Sequence, residues 1–344
     1  MPVFLNLINM DIDIKYMRLA LQLARLGYGH TYTNPMVGAV IVAPDGRIIG
    51  RGWHRRFGGP HAEVNAVRSV SQADRALLRQ SVMYVTLEPC SHYGKTPPCA
   101  EMIIREGIPE VVVGAADPFP QVAGRGVRML REAGVKVHEG VLADECRQLN
   151  LPFMTAHERR WPYVILKWAQ SADGFIAGGH HAPDAIQPER VVFSSPVGQL
   201  AVHKLRTVAN AIMVGTDTVL TDNPRLDARL WPGHDPRPAT FDSPRLPADA
   251  NIMQRECILR GKNEPLADFL HRLYDEQGLL SLMVEGGART LQEFIDLGLF
   301  DMLRVETSPR LLHEGVPAPD FNPSKLVIEE ICELGGNSLA IFRK

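Results

Sequence analysis

The chain has 344 residues, of which 45% are apolar and 22% charged, a length and balance that suit about two globular domains, each able to bury its own core. Lys and Arg total 37 against 39 Asp and Glu, a formal net charge of −2, so the basic excess that carries backbone-driven nucleic-acid binding is absent. The N-terminal apolar stretch has no basic lead and soon meets Asp11 and Asp13, and no uninterrupted apolar run is long enough to span a bilayer. These features argue against a secretory signal and a membrane anchor. The five cysteines, Cys90, Cys99, Cys146, Cys257 and Cys332, form an odd, sparse set that suggests a reducing, cytoplasmic setting. Cys146, Cys257 and Cys332 are expected as small buried packing residues.

Residues 14–27 place Tyr16, Met17, Leu19, Ala20, Leu23 and Ala24 at helical spacing and end at a glycine. A buried strand is expected over 36–42, with Pro44, Asp45 and Gly46 turning the chain into 48–50. A helix over 61–70, a strand over 81–87, a helix over 99–106 and a strand over 110–114 follow. Residues 127–133 read as a helix, 135–137 as a short strand and 144–157 as a closing helix. Alternation of this kind predicts an α/β layered domain over 1–157. A boundary is expected near 158–162, before a second domain over 161–344. That half opens with a strand over 163–168 and a polar loop over 178–188. A helix led by Ser195 and Pro196, a strand over 211–214 and a loop over 221–224 come next. Residues 231–247 are proline-rich and carry no clear pattern. A strand over 279–285, a Gly286–Gly287 turn, a helix over 288–297 and strands over 302–307 and 339–342 complete the reading.

The chemistry-bearing signal is His61-Ala62-Glu63, followed by Glu88-Pro89-Cys90 and then Cys99. One His and two Cys suit zinc, and three protein ligands leave a tetrahedral position open for catalysis. Zinc makes hydroxide available near neutral pH. Hydrolytic deamination also needs a proton carried to the departing ammonia. Glu63, in the first turn after His61, is the candidate shuttle. The H-x-E and P-C-x-x-C pattern is the signature of zinc nucleobase deaminases. This chain departs from it, because eight residues, SHYGKTPP, separate Cys90 from Cys99.

EPCSHYGKTPPCAE resembles the deaminase domain of bifunctional riboflavin-biosynthesis enzymes, which join a diaminohydroxyphosphoribosylaminopyrimidine deaminase to a 5-amino-6-(5-phosphoribosylamino)uracil reductase. Asn34-Pro35 before MVGAVIV, Gly52-Trp53-His54, Asp117-Pro118 and VAGRG over 122–126 strengthen the resemblance. It covers about residues 14–310. It implies a cytidine-deaminase-like three-layer domain with His61, Cys90 and Cys99 on zinc and Glu63 as proton shuttle. By the same resemblance Asn34 would meet the pyrimidine edge, and His92 and Lys95 the base or the phosphoribosyl group.

The C-terminal half resembles the family's reductase domain through LKWAQSADGFIA, AIMVGTDTVLTDNPRLDAR and MVEGGARTLQEFI. This implies a dihydrofolate-reductase-like fold that uses NADPH. Ala169, Thr218, Asp222, Ser243 and the turn at Gly286 and Gly287 would line the cofactor. Arg206, Leu226, Arg229 and Glu285 would line the substrate, the arginines suiting a phosphate by their fork geometry. The glycine turn between a strand and a helix is the kind of place where backbone approaches a pyrophosphate.

Two departures stand out in this half. Arg190 and Val192 occupy positions where the family carries a polar residue and an aromatic, and the segment over 243–284 is short, as if much of a strand–helix unit were reduced. The alternative is therefore a deaminase whose second half is a degenerate binding or oligomerisation module. A nucleic-acid deaminase shares H-A-E, but the charge, the loop between the cysteines and the second domain count against it. The expected partners are a small phosphoribosylaminopyrimidine and further copies of the chain, with neither nucleic acid nor membrane.

Overall fold

A computed structural model describes residues 2–93, 97–119, 123–178 and 191–344, with the backbone alone described for 2–13. Lys95, Arg190 and nearly all of the 178–188 loop lie outside the described residues. The chain forms two compact units, Met1–Arg159 and Arg160–Lys344. None of its helices is long and apolar enough to cross a membrane among the described residues.

In the first unit α1 (Pro2–Arg25) precedes a hairpin of β1 (Gly38–Val42) and β2 (Ile48–Trp53). Next come α2 (Ala62–Arg68), β3 (Val82–Leu87), α3 (Cys99–Glu106), β4 (Glu110–Ala115), α4 (Arg125–Glu132), β5 (Lys136–His138), α5 (Ala143–Leu149) and α6 (Leu151–Arg159). The strands form one five-stranded sheet in the order β2-β1-β3-β4-β5, antiparallel across β2, β1 and β3 and parallel across β3, β4 and β5.

Side chains alternate across a strand, and the apolar runs of β1, β3 and β4 bury both faces. Ala39, Ile41, Met83, Val85, Val111 and Val113 pack with Ala62, Ala66, Ala100, Ile103 and Leu130 from α2, α3 and α4. Val40, Val42, Tyr84 and Val112 pack with Tyr16, Met17, Ala20, Cys146 and Met154 from α1, α5 and α6. The unit is thus a helix–sheet–helix sandwich. The helix expected over 144–157 is two helices. Asn150 sits between them, with its side chain accepting from the Met36 amide at 2.7 Å and donating to the Met36 carbonyl at 2.8 Å, and Pro152 follows. A 3-10 helix over Gln72–Gln80 was not anticipated.

The second unit contains β6 (Tyr163–Gln170), β7 (Phe175–Gly178), α7 (Pro196–Arg206), β8 (Ala211–Val214), α8 (Thr216–Asp222), β9 (Arg237–Phe241), β10 (Ile258–Arg260), α9 (Leu266–Asp275), β11 (Ser281–Gly286), α10 (Ala288–Asp296), β12 (Met302–Thr307), β13 (Gly315–Pro317), β14 (Val327–Leu334) and β15 (Asn337–Arg343). Eight strands make one sheet in the order β10-β9-β8-β11-β6-β12-β15-β14. β10 through β12 run parallel, and β15 and β14 close the edge antiparallel. The chain starts at β6, steps outward to β8, β9 and β10, then returns to insert β11 between β8 and β6. That return makes a switch point at the carboxyl ends of β6, β8 and β11, where open α/β sheets place ligands.

Three elements correct the sequence reading. The proline-rich stretch contains β9, and the 243–284 segment holds both a strand, β10, and a ten-residue helix, α9, whose Phe269, Leu270 and Leu273 are fully buried. The reduction there falls on β10, which has only three residues. Cys146 is buried as expected, whereas Cys257 and Cys332 are partly exposed.

Close approach of helix to sheet in the first unit depends on glycine. A Cβ on Gly52 would lie 2.2 Å from the Ala66 nitrogen, and one on Gly38 would lie 2.0 Å from the Ala20 carbonyl oxygen. Gly52→Ala is therefore expected to cost about 1–3 kcal/mol of stability by overpacking, read from urea unfolding of the purified chain, and to lower its zinc content, because α2 follows directly on His61.

Candidate active sites

In the first unit three elements deliver one metal-sized cluster. His61 is the N-cap of α2, Cys90 lies just past β3, and Cys99 opens α3. Their ligand atoms all lie within 4.8 Å of one another. His61 Nδ1 is 3.5 Å from Cys90 Sγ and 3.3 Å from Cys99 Sγ. Zn–S bonds of about 2.3 Å and Zn–N bonds of about 2.0 Å at tetrahedral angles put N and S about 3.5 Å apart, so these residues fit zinc. The Cys99 amide also donates to Cys90 Sγ at 3.3 Å, and the Ala100 amide to the Cys90 carbonyl. The start of α3 is in this way folded back onto Cys90, despite the inserted loop.

The thiols do not titrate alike. A hydrogen bond between the two thiol groups, with the His61 ring beside it, pulls Cys90 down to about 4. The same bond and burial push Cys99 up. Glu63, in the first turn of α2, is 3% exposed. Burial is the main influence on it, raising its carboxyl to about 7 against the pull of His61. The Cys99 thiol is hydrogen-bonded to this carboxyl. A carboxyl poised near neutrality can both take and give a proton.

Asn34 is tied to the same region. Its Nδ2 donates to His54 Nε2 at 3.0 Å, while His54 Nδ1 donates to the Pro60 carbonyl at 3.1 Å. The His54 ring lies edge-on to His61 at 5.7 Å between centroids, and burial lowers its pKa. His92 is exposed. Three residues given no role from the sequence also belong here. His54 orients Asn34, and Asp117 is 9% exposed, its carboxyl lifted to about 6 by burial and by the charges of Glu88 and Cys90. Glu88 is 4% exposed and, among the described residues, accepts from the backbone amides of Asp117, Gly124, Gly126 and Val127. No spacing rule links such a carboxylate to amides 29 to 39 positions away.

In the second unit Arg206, at the end of α7, closes a two-point ion pair on Glu285 of β11. Nε donates to Oε1 at 2.8 Å and Nη2 to Oε2 at 2.6 Å, with side chains 11% and 10% exposed. Its Nη1 donates to the Asp227 carbonyl at 2.8 Å. The fork expected for a phosphate is thus engaged by protein. Burial works against the Glu285 charge, but Arg206, followed by Lys167, holds the carboxyl at about 2. Lys167 is the neighbour across the sheet, because β6 and β11 run in register through Leu166 and Val284. On its other side Lys167 pairs with Arg304 of β12. Burial lowers the Lys167 pKa.

Leu226 is 2% exposed in the core beneath α7 with a left-handed φ of 52°, so its side chain packs in the core. Arg229 is half-exposed and pairs with Asp227. Of the expected cofactor residues, Ala169 ends β6, Thr218 and Asp222 lie on α8, and Gly286 and Gly287 lead from β11 into α10. Ser243 is further along the chain after β9, its Oγ accepting from the Arg245 amide at 3.3 Å. Gly286 has φ of 134° and open space where a Cβ would project. The N-cap of α10, Gly287, has no side-chain cap, and a Cβ on Gly215 would meet Thr290 Oγ1 at 2.8 Å. Bare backbone beside two helix starts fits a phosphate-bearing cofactor. Val192 is 55% exposed.

Comparison with known proteins accords with these sites. Residues 10–115 match the model of the cytidine and deoxycytidylate deaminase zinc-binding region, and residues 162–334 match that of the RibD C-terminal domain. Riboflavin biosynthesis protein RibD of Aquifex aeolicus is 37% identical, covering 97% of this chain and 99% of its own length. The protein of the same name from Actinobacillus pleuropneumoniae is 36% identical over 90% of this chain and 87% of its own. Among solved structures, Acinetobacter baumannii RibD superposes with a TM-score of 0.87 at 31% identity, covering 97% and 99% of the two chains. The Thermotoga maritima deaminase/reductase superposes with a TM-score of 0.81 at 32% identity over the same shares. The chain belongs to the riboflavin biosynthesis protein RibD family, bifunctional enzymes that join a zinc-binding deaminase domain to an NADPH-using reductase domain.

Proposed function

We propose that this chain deaminates 2,5-diamino-6-(5-phosphoribosylamino)pyrimidin-4-one in its first unit and reduces the ribosyl side chain of the product to ribityl in its second. The observation that carries the first half is the cluster of His61, Cys90 and Cys99 with Glu63 buried in the first turn of α2. These three residues would hold zinc, which when bound would make hydroxide available at neutral pH. Glu63 takes a proton as the ring carbon is attacked and returns it to the departing amine, so that ammonia leaves. Asn34, held by His54, and Asp117 meet the polar edge of the pyrimidine, and His92 and Lys95 meet its phosphoribosyl end.

In the second unit bound NADPH would supply the hydride for reduction at C1′ of the open-chain imine. Ala169, Thr218, Asp222, Ser243 and the Gly286–Gly287 turn hold the cofactor. Lys167 and Glu285 form the polar floor beside the reacting carbon. Arg206 keeps Glu285 ionised and aimed, while Leu226 and Arg229 border the substrate. The domains correspond to residues 1–157 and 161–344. Thiol ligands suit the reducing cytoplasm.

The chain is further proposed to be a homo-oligomer. β14 is an eight-residue edge strand exposing Val327, Ile328 and Ile331 at 68%, 56% and 65%, and an apolar edge of this kind pairs readily with a second copy.

Glu63→Gln is expected to keep about one zinc per chain and lose about 100-fold or more in ammonia release. Removing the metal with a chelator should abolish ammonia release while NADPH binding persists. Wild-type turnover by Glu63→Gln, or by metal-free protein, would refute the assignment. Glu285, with its pKa depressed from 4.5 to about 2, adds stability that is present above pH 4.5 and lost as pH falls through about 2. The advantage of the parent over Glu285→Gln in urea unfolding should therefore be largest near neutral pH, on the order of 3 kcal/mol, and shrink below pH 4. Ile331→Lys should lower the mass measured by light scattering, and an unchanged mass would dismiss β14 as the interface.

A further inference from the structure

Glu88 stands in the turn between β3 and Cys90, and it is bound to a distant part of the chain. One carboxylate oxygen accepts from the amides of Gly124 at 3.0 Å and Asp117 at 3.4 Å. The other accepts from Gly126 at 3.0 Å and Val127 at 3.3 Å. The Glu88 amide itself donates to the Ala115 carbonyl at 3.0 Å. These donors begin at the end of β4 and run into the first turn of α4. The N-cap of α4, Gly124, offers no side chain, so a carboxylate from another element satisfies the amides that a local cap ordinarily would. Contact on the far side is equally tight, since a Cβ on Gly126 would lie 1.9 Å from the Pro89 carbonyl oxygen.

A stability role alone would need no particular location. Glu88 is two residues from a zinc-ligand position, and one of its four donors is the amide of Asp117, whose buried carboxyl lies in the electrostatic reach of Cys90. We propose that Glu88 is a positioning residue of the deaminase: it ties Asp117 and the start of α4 to the turn that carries Cys90, presetting the wall that the substrate meets beside the metal. The carboxylate form matters because all four partners are donors. A glutamine in its place keeps one accepting oxygen and turns an NH2 group toward two amides that also donate.

This inference rests on the deaminase reading, which is judged separately by ammonia release from the zinc-loaded wild-type chain. Two variants disturb the same contact from opposite sides, Glu88→Gln from the carboxylate and Gly126→Ala from the first turn of α4. Both are expected to keep about one zinc per chain and a cooperative unfolding transition, with Gly126→Ala melting below the parent because its Cβ would meet the Pro89 backbone. Both should raise KM for the aminopyrimidine nucleotide about 10- to 100-fold, with kcat changed much less, as for a misplaced but intact site. NADPH affinity, titrated by fluorescence, should be unchanged. A wild-type KM in either variant, or loss of zinc or of the fold in either, overturns the proposal and leaves Glu88 as a cap of α4. If wild-type protein releases ammonia in that same experiment, the deaminase reading survives.

Discussion

Gly52 brings the backbone of β2 so near α2 that no side chain fits between them, and the geometry of the first unit follows from that contact. It seats the start of α2 against the sheet, so that His61 and Glu63 reach the region past the end of β3. Asn65 reinforces the seat by donating to the carbonyls of Trp53 and Pro60. The cysteines come from two other elements, and α3 is drawn in by the amides that face Cys90. Zinc requires three ligand atoms within a few tenths of an ångström of their places. Here those places are set by backbone contacts rather than by long, flexible side chains.

Burial governs the chemistry of both units, with opposite results. The charge of His61 pulls the Glu63 carboxyl down, but desolvation outweighs it and lifts the carboxyl toward neutrality. Glu285 is as deeply placed, yet Arg206 grips both its oxygens and Lys167 stands alongside, so it stays ionised far below neutral pH. One carboxyl is thereby suited to moving a proton and the other to holding fixed charge. The difference lies in the partners, since the desolvation cost of a lone charge is relieved only by a paired one.

The second unit shows how topology creates a site without a strong local signal. Insertion of β11 between β8 and β6 leaves Ala169, Gly215 and Gly286 at neighbouring strand ends. A glycine pair between a strand and a helix is common, and its meaning comes from the open backbone around it. Arg206 illustrates the limit of reading residue types singly. Its fork suited a phosphate on paper, whereas the fold commits it to Glu285 and to a backbone carbonyl.

Much of the molecule was legible in the amino-acid sequence because the relevant physics is local. Apolar runs marked β1, β3, β4, β6, β8 and β11, and His61, Glu63, Cys90 and Cys99 were identifiable by residue type and order. The break at Asn150 was missed because it depends on Met36, 114 positions away. β10 was missed because a three-residue strand has too little pattern to register, whereas α9 carries Leu266, Phe269, Leu270 and Leu273 at helical spacing and was legible in the sequence. β14 is exposed along most of its length and so lacks the alternation that marks a half-buried strand. His54, Asp117 and Glu88 acquire their roles only from neighbours distant in the chain. The sequence alone determined the ligand types, the two-domain α/β plan and the kind of chemistry, because these depend on composition and short spacing. Tertiary structure decided which carboxyl is proton-active, which arginine is engaged and which residues wall the metal cluster, because burial and charge pairing exist only once the chain has folded.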